Sequence, residues 1–425
     1  MDEHIPARAD PAPIGPAGSS TAGRWLTRGV GAVGASSFFS DSGHEITPSL
    51  LPSFLVSVLH SSAGVLGLIE GLRDALTGLA KLITGPMAND AHLRGRLASS
   101  GYVGTALATG AIGLAVTPWQ VGVGRALAWT SRGLRTPARD SLLASAAPEH
   151  AYGRAFGLER AGDNLGALVG TLLAAALVGI IGIRPTMWLA AVPGLFAAIS
   201  IMVAVKATRQ HVAVAAPRQR IGIAALRGTG VLRALVPVVP FELGNVATTL
   251  LIFRATQLLH VGGRSLVVAT SLAIVIYAAH NAFGSLVALW GGHWIDRIGP
   301  RVVFGAGAVL YVAAYAGFAV GPQQWWWLLV AFVLAGSGIG LAETAESSLV
   351  AILTPEHLRG SGFGLLGGVQ AAGAFASSAV VGLLFVTVGA TAGFAYAGSW
   401  MVLAVLAALW MRPCAAPLGQ NHSAA

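Results

Sequence analysis

Apolar runs alternate with short polar loops along this chain. Twelve runs can be marked, at about 30–58, 64–88, 98–117, 120–146, 152–182, 186–206, 230–258, 265–290, 302–321, 325–352, 360–387 and 391–411. Crossing the hydrocarbon core of a bilayer takes about 20 helical residues. Lipid offers no partner to a free backbone amide, so the pattern predicts an all-α membrane protein of twelve continuous transmembrane helices.

The pattern is built twice. PEHAYGRAFGL at 148–158 returns as PEHLRGSGFGL at 355–365, a shift of 207 residues. The same shift carries Gly85 onto Gly292, Asn89 onto Asp296 and Arg94 onto Arg301. A period of half the chain describes one six-helix unit duplicated in parallel, as in transporters with repeated halves. The expected division is a disordered cytoplasmic extension at 1–28, a six-helix bundle at 29–206, a basic cytoplasmic linker at 207–229, a second bundle at 230–412 and a cytoplasmic tail at 413–425. The first 28 residues lack the apolar stretch of a signal peptide.

Composition agrees with a membrane solvent. Charged residues make up 10% of the chain, against about a quarter in soluble domains, and mean hydropathy is +0.71. A net charge of +9 would fit nucleic acid, but the basic residues fall in alternate loops. Arg94, Arg96, Arg154, Arg297, Arg301, Arg359 and the stretch from Lys206 to Arg233 lie on one side; Arg184 and Arg264 lie on the other. The positive-inside rule then places both termini in the cytoplasm of a multi-pass plasma-membrane protein, with no nucleic-acid partner. Trp325, Trp326 and Trp327 fit an aromatic belt at the far interface. A lone cysteine, Cys414, excludes a disulfide framework. Neither a metal-ligand spacing nor a Walker loop nor a nucleophile–base set is visible, so no cofactor, metal site or enzymatic activity is expected.

Twelve helices, the duplicated half, a long basic linker and the loop G-x-x-x-D-R-x-G-x-R together resemble the major facilitator superfamily. That loop is complete as Gly292, Asp296, Arg297, Gly299 and Arg301. Segments such as FFSDSGHEITPSLLPSFL and GRAFGLERAGDNLG are similar to bacterial permeases of undefined substrate. The resemblance implies that Asp296 faces the start of helix 5 across the two halves. In the first copy, Gly85 and Arg94 are kept, but Asn89 replaces the aspartate, Asp90 follows it and His92 replaces a glycine. This leaves open whether Asn89 or Asp90 meets helix 11. Both loops are read as gates.

Ionisable groups inside spans usually mark an ion or substrate path. Helix 1 carries Asp41 and Glu45 on one face, with His44 beside them. Helix 4 carries Arg125, Arg132 and Arg139 seven residues apart, with Arg135 a turn beyond Arg132. In the resembled family helices 1, 4, 7 and 10 line the cavity. That implies a pathway of Asp41, His44, Glu45, Arg125, Arg132, Arg135 and, from helix 10, Glu343. Glu70, Asp74, Arg139, Asp140, Arg160, Asp163 and Glu346 are read as a charge network between helices. Glycines at 64, 71, 78 and 85, and at 162, 166 and 170, are read as packing seams between the halves.

The leading expectation is a monomeric, proton-coupled secondary transporter that exports a small organic or amphiphilic compound, an efflux permease. The alternative is proton-coupled uptake of an anion held by the helix 4 arginines. A transport-inactive sensor would be expected to add an effector domain, and none is visible.

Overall fold

The computed structural model describes residues 24–61, 69, 72–209, 223–321 and 323–410. Residues 1–23 of the extension proposed at 1–28, the tail proposed at 413–425, most of the linker, and Glu70, Gly64 and Gly71 lie outside the described residues. The first half comprises α1 (Arg28–His44), α2 (Arg73–Met87), α3 (Ala91–Ala111), α4 (Pro118–Ala146), α5 (Tyr152–Ile181) and α6 (Ala191–Arg209). The second comprises α7 (Thr248–Val261), α8 (Leu266–Ile298), α9 (Pro300–Val320), α10 (Trp325–Leu353), α11 (Arg359–Thr387) and α12 (Ala390–Trp410). It is an all-α fold of two six-helix halves. Among the described residues eight helices are long and apolar enough to cross a membrane, and they are the last eight in chain order. The first four fall short for visible reasons: α1 is interrupted, the span that holds α2 is only partly described, and α3 carries two arginines and α4 four.

Among the described residues three spans are not continuous, contrary to the sequence expectation; the sixth is interrupted only at Ala190, between Ile183–Leu189 and α6. Helix α1 stops at His44 and resumes as Ile46–Ser53, followed by a π turn at Phe54–Val58. Pro48 and Pro52 cause this, because each lacks the N–H that would bind the carbonyl four residues back. The seventh span is split into Val231–Ala234, Val238–Gly244 and α7, with Asn245–Ala247 outside any helix. The freed amides are satisfied across the bundle: Val246 N–H donates to Tyr315 Oη at 3.0 Å and Ala247 N–H to Ser378 Oγ at 3.2 Å. Irregular backbone survives in a membrane protein only where protein replaces water in this way. Helix α3 begins earlier than its apolar run because Asp90 caps it, accepting from His92 N–H at 2.8 Å and Leu93 N–H at 3.3 Å.

The halves meet along α5 against α8 and α2 against α11. Small residues permit the approach. A Cβ on Gly85 would lie 2.8 Å from the Gly360 carbonyl oxygen and from Gly364 Cα, and one on Gly157 would lie 2.5 Å from the Ala288 carbonyl oxygen. Gly162, Gly166 and Gly170 do not belong to this seam. They face Gly34, Phe38 and Ser42 of α1, inside the first half, because the turn of α5 that carries them points away from α8.

Candidate functional site

Helix α1 ends where its charged groups begin, so Asp41 sits in the last turn with its side chain directed at α4. Arg132 grips it through two parallel bonds, at 2.7 and 2.9 Å, the planar fork-to-carboxylate geometry that favours arginine. Asp41 is 5% exposed, whereas the Arg132 side chain keeps 27% of its surface open. Arg135 approaches the same carboxylate at 3.9 Å and lies over the Tyr102 ring at 3.9 Å. Arg125 lies over Trp129 at 4.4 Å. Both of these arginines are fully buried inside the first half, so the four arginines do not form one cavity-facing stripe. The rings hold two of them by cation–π contact and apolar cover.

His44 is buried beside Asp41 and lines a cavity of about 10 Å³, room for about one water, with Ser40, Tyr102, Thr105 and Thr109. Glu45 is half-buried at the break in the first span and makes no side-chain hydrogen bond or ion pair among the described residues. Asp74 pairs locally with Arg73 at 3.0 Å.

A second cluster lies one to two turns along α4. Arg139 contacts Glu159 at 2.6 Å, Asp140 at 2.9 Å and Asp163 at 3.4 Å, and donates to Ser37 Oγ at 3.2 Å. Asp163 also meets Arg160 at 3.4 Å, and Arg160 reaches across to Glu343 of α10 at 3.0 Å. Glu343 is thus a tie between halves and does not face the Asp41–Arg132 pair alone. Glu346, one turn along α10, is 1% exposed and accepts from Gln370 Nε2 at 2.8 Å.

Both duplicated loops engage the other half. Asp296 accepts from Gly153 N–H at 2.7 Å and Arg154 N–H at 3.3 Å, and meets Arg154 Nε at 2.6 Å. In the other copy Asn89 Oδ1 accepts from Ser361 N–H at 3.0 Å while its Nδ2 donates to Ser361 Oγ at 2.8 Å. Asn89 itself therefore meets helix 11, and Asp90 caps its own helix. Arg94 donates to the Ala88 carbonyl oxygen and to Ser145 Oγ and lies 3.9 Å from Glu356. Arg301 binds the carbonyls of Ala408 and Leu409 instead, and Arg297 is exposed. Gly292 packs against Gly153, and Gly299 turns the chain between α8 and α9 at φ +87°, a left-handed conformation that glycine adopts without strain. Arg359 closes the same end through the Ala144 carbonyl oxygen and Tyr152 Oη.

Sequence reasoning missed Tyr102, Trp129 and Gln370. The repeat could have found Gln370, since the shift of 207 places Asp163 onto it. The covering rings carry no such signal.

A family profile described as Major Facilitator Superfamily matches residues 33–290 and 258–425. The chain is 25% identical over 364 residues to an uncharacterized MFS-type transporter of Methanocaldococcus jannaschii, covering 85% of this chain and 89% of that one. The structure is similar to the human organic anion transporter MFSD10 (TETRAN), with TM-score 0.72 and 16% identity over 90% of this chain and 99% of that chain. It is also similar to the E. coli fucose:proton symporter FucP, with TM-score 0.69 and 13% identity over 91% and 99%. With nearly the whole chain matched, this protein belongs to the Major Facilitator Superfamily of transporters.

Proposed function

We propose that the protein is a proton-coupled secondary transporter of the plasma membrane that exports a small organic or amphiphilic compound as a monomer. The observation that carries this reading is the Asp41–Arg132 pair, with Glu45 one turn away on the same face and without a side-chain partner among the described residues. A bidentate pair is an exchangeable lock. A proton arriving at Asp41 removes the charge that holds Arg132, and loss of the proton restores it; Glu45, one turn away, is the second proton carrier. Coupling then follows if substrate occupies the space beside Arg132 only in one of these charge states, since a ligand shifts a conformational equilibrium only by its differential affinity.

The alternating movement is supported by where the halves are tied. The bonds through Asn89, Asp296, Glu356 and Arg359 all lie at the end that bears both duplicated loops. Ser285 Oγ to the Ala161 carbonyl oxygen at 3.0 Å and Arg160 to Glu343 extend these ties toward the middle. The loop-bearing end also holds the basic residues and is assigned to the cytoplasm. On that assignment the conformation is closed inward, and export requires these ties to break. Transport in proteoliposomes under an imposed pH gradient tests the reading: Asp41→Asn with Glu45→Gln is expected to uncouple transport, and unchanged coupling would sink it.

Uptake of an organic anion is the second reading. Arg132 retains an open face, and MFSD10, whose fold is similar, is an organic anion transporter. Stabilisation by anions that disappears in Arg132→Ala would favour it.

A further inference from the structure

The two halves treat one pair of equivalent positions in opposite ways. The shift of 207 that places Arg139 onto Glu346 also places Asp163 onto Gln370. In the first half those positions form an ion pair at 3.4 Å, and Arg139 is further surrounded by Asp140 and Glu159. In the second half they form a carboxylate–amide bond at 2.8 Å. A second carboxylate is added there. Glu242, 2% exposed, lies at the end of the Val238–Gly244 segment just before the break and accepts from Asn245 Nδ2 at 3.1 Å. Helix α11 lies along both groups, with Gln370 against Glu346 and Gly373 so close that a Cβ there would strike Glu242. Glu242 and Glu346 are within electrostatic range of each other.

Each carboxylate uses one oxygen for an amide, and the other, Oε1, is buried without a hydrogen-bond partner among the described residues in both cases. A buried ionised carboxylate left this way is costly, by several kcal/mol or about that order. The surrounding groups do not remove the cost. Arg160 from α5 is bonded to Glu343 and Asp163. Lys81 from α2 is within electrostatic range of Glu242. Tyr311 and Tyr315 from α9 also face the group, the latter engaged with Val246 N–H. Arg301 lines the cavity at Glu346 but is engaged with the carbonyls of Ala408 and Leu409, so among the described residues neither Glu242 nor Glu346 has an ion-pair partner. The broken segment adds the negative end of its dipole. A cavity of about 10 Å³ reaches Glu346 from the side of Pro237, Phe304 and Arg301, the end that bears the duplicated loops.

We propose that Glu242 and Glu346, braced by Asn245 and Gln370, bind one monovalent cation, taken up as a proton or as Na+. The first half carries its positive charge covalently, in Arg139; the second half takes the equivalent charge from solution. The site extends the transport reading by naming a second place where a driving cation can sit, but its occupancy is measured without transport.

The experiment uses the purified full chain. Melting temperature is followed while Na+ replaces choline at fixed pH and ionic strength, and the infrared C=O band of protonated carboxyl groups is followed in choline. A sodium site raises the melting temperature of the wild type by about 1.5 °C for each tenfold increase above the dissociation constant. A proton site instead shows a carboxyl band in choline that Na+ leaves in place. Glu346→Gln and Glu242→Gln each keep an amide-sized polar group and are expected to abolish whichever signal appears, while Glu149→Gln, at an exposed carboxylate outside both sites, retains it. Neither signal in the wild type, or a signal that survives both glutamine variants, overturns the proposal. If either variant fails to fold, the other is read. Failure of proton-driven transport with the cation signal intact overturns the transport reading alone.

Discussion

Arg160 of α5 and Glu343 of α10 meet at 3.0 Å across the boundary between the two halves, with side chains 19% and 23% exposed. This is a tie near the middle of the bundle that must part if the halves rock. Its worth lies between the about 1 kcal/mol of an exposed pair and the about 3 kcal/mol lost when a buried pair is broken.

Glu343→Gln is therefore expected to shift the population of the form opened at the duplicated-loop end by about tenfold or more. Spin labels at His92 and Arg297, exposed positions in opposite halves at that end, read the change as a longer distance. The single native cysteine is removed first by Cys414→Ser. An unchanged distance distribution would mean that the tie does not govern closure.

Asp296 and Asn89 do equivalent work with different charge. Asn89 shows that an amide can hold the first turn of the facing helix, accepting from Ser361 N–H at 3.0 Å. Asp296→Asn should then keep the Gly153 contact and lose only part of the Arg154 attraction, costing about 1 kcal/mol. Asp296→Ala should cost about twice that, because the helix amides at 153 and 154 lose their acceptor. Melting temperatures in the order wild type, Asp296→Asn, Asp296→Ala check this; equal losses would contradict it.

The close crossing of α2 and α11 makes a steric prediction. A methyl group on Gly85 would be forced to within 2.8 Å of Gly360 and Gly364 backbone atoms, whereas one on Gly179 meets nothing within 4 Å. Gly85→Ala is expected to cost about 1–3 kcal/mol and to lengthen the same spin-label distance. Gly179→Ala should change neither quantity. Matching behaviour of the two variants would show that the crossing is looser than the backbone contacts imply.

Much of the architecture was legible because it is periodic. Membrane-length apolar runs and the shift of 207 residues describe two six-helix halves, and the loop motif points to contacts between them. The breaks were less legible. Pro48 and Pro52 signal the first, but the second survives only because Tyr315 and Ser378 satisfy amides that lie many residues away. Burial of individual arginines was hidden for the same reason. Arg125, Arg132 and Arg139 share a spacing, yet Trp129 covers one, an acidic cage holds another, and only Arg132 is left facing open space. Partner identity is a tertiary property that spacing along one helix does not carry.

The Asp41–Arg132 pair predicts an asymmetry between its two members. Asp41 is 5% exposed, so Arg132→Gln leaves a buried carboxylate whose remaining cation, Arg135, is 3.9 Å away. Asp41→Asn leaves Arg132 unpaired, but its side chain is 27% exposed and can turn to open space. Arg132→Gln is thus expected to cost about 3 kcal/mol, within the range for breaking a buried pair, and Asp41→Asn about 1 kcal/mol. The double variant should be less damaging than the two single losses added together, because no buried charge is then left without its partner. Function should follow the opposite order: Asp41→Asn removes the group proposed to exchange the proton and abolishes coupling, however mild its effect on melting. Melting temperatures and proton-driven transport of all three variants decide the matter. A double variant as unstable as the sum, or an Asp41→Asn protein that still couples to the pH gradient, would reduce the pair to a structural brace between α1 and α4.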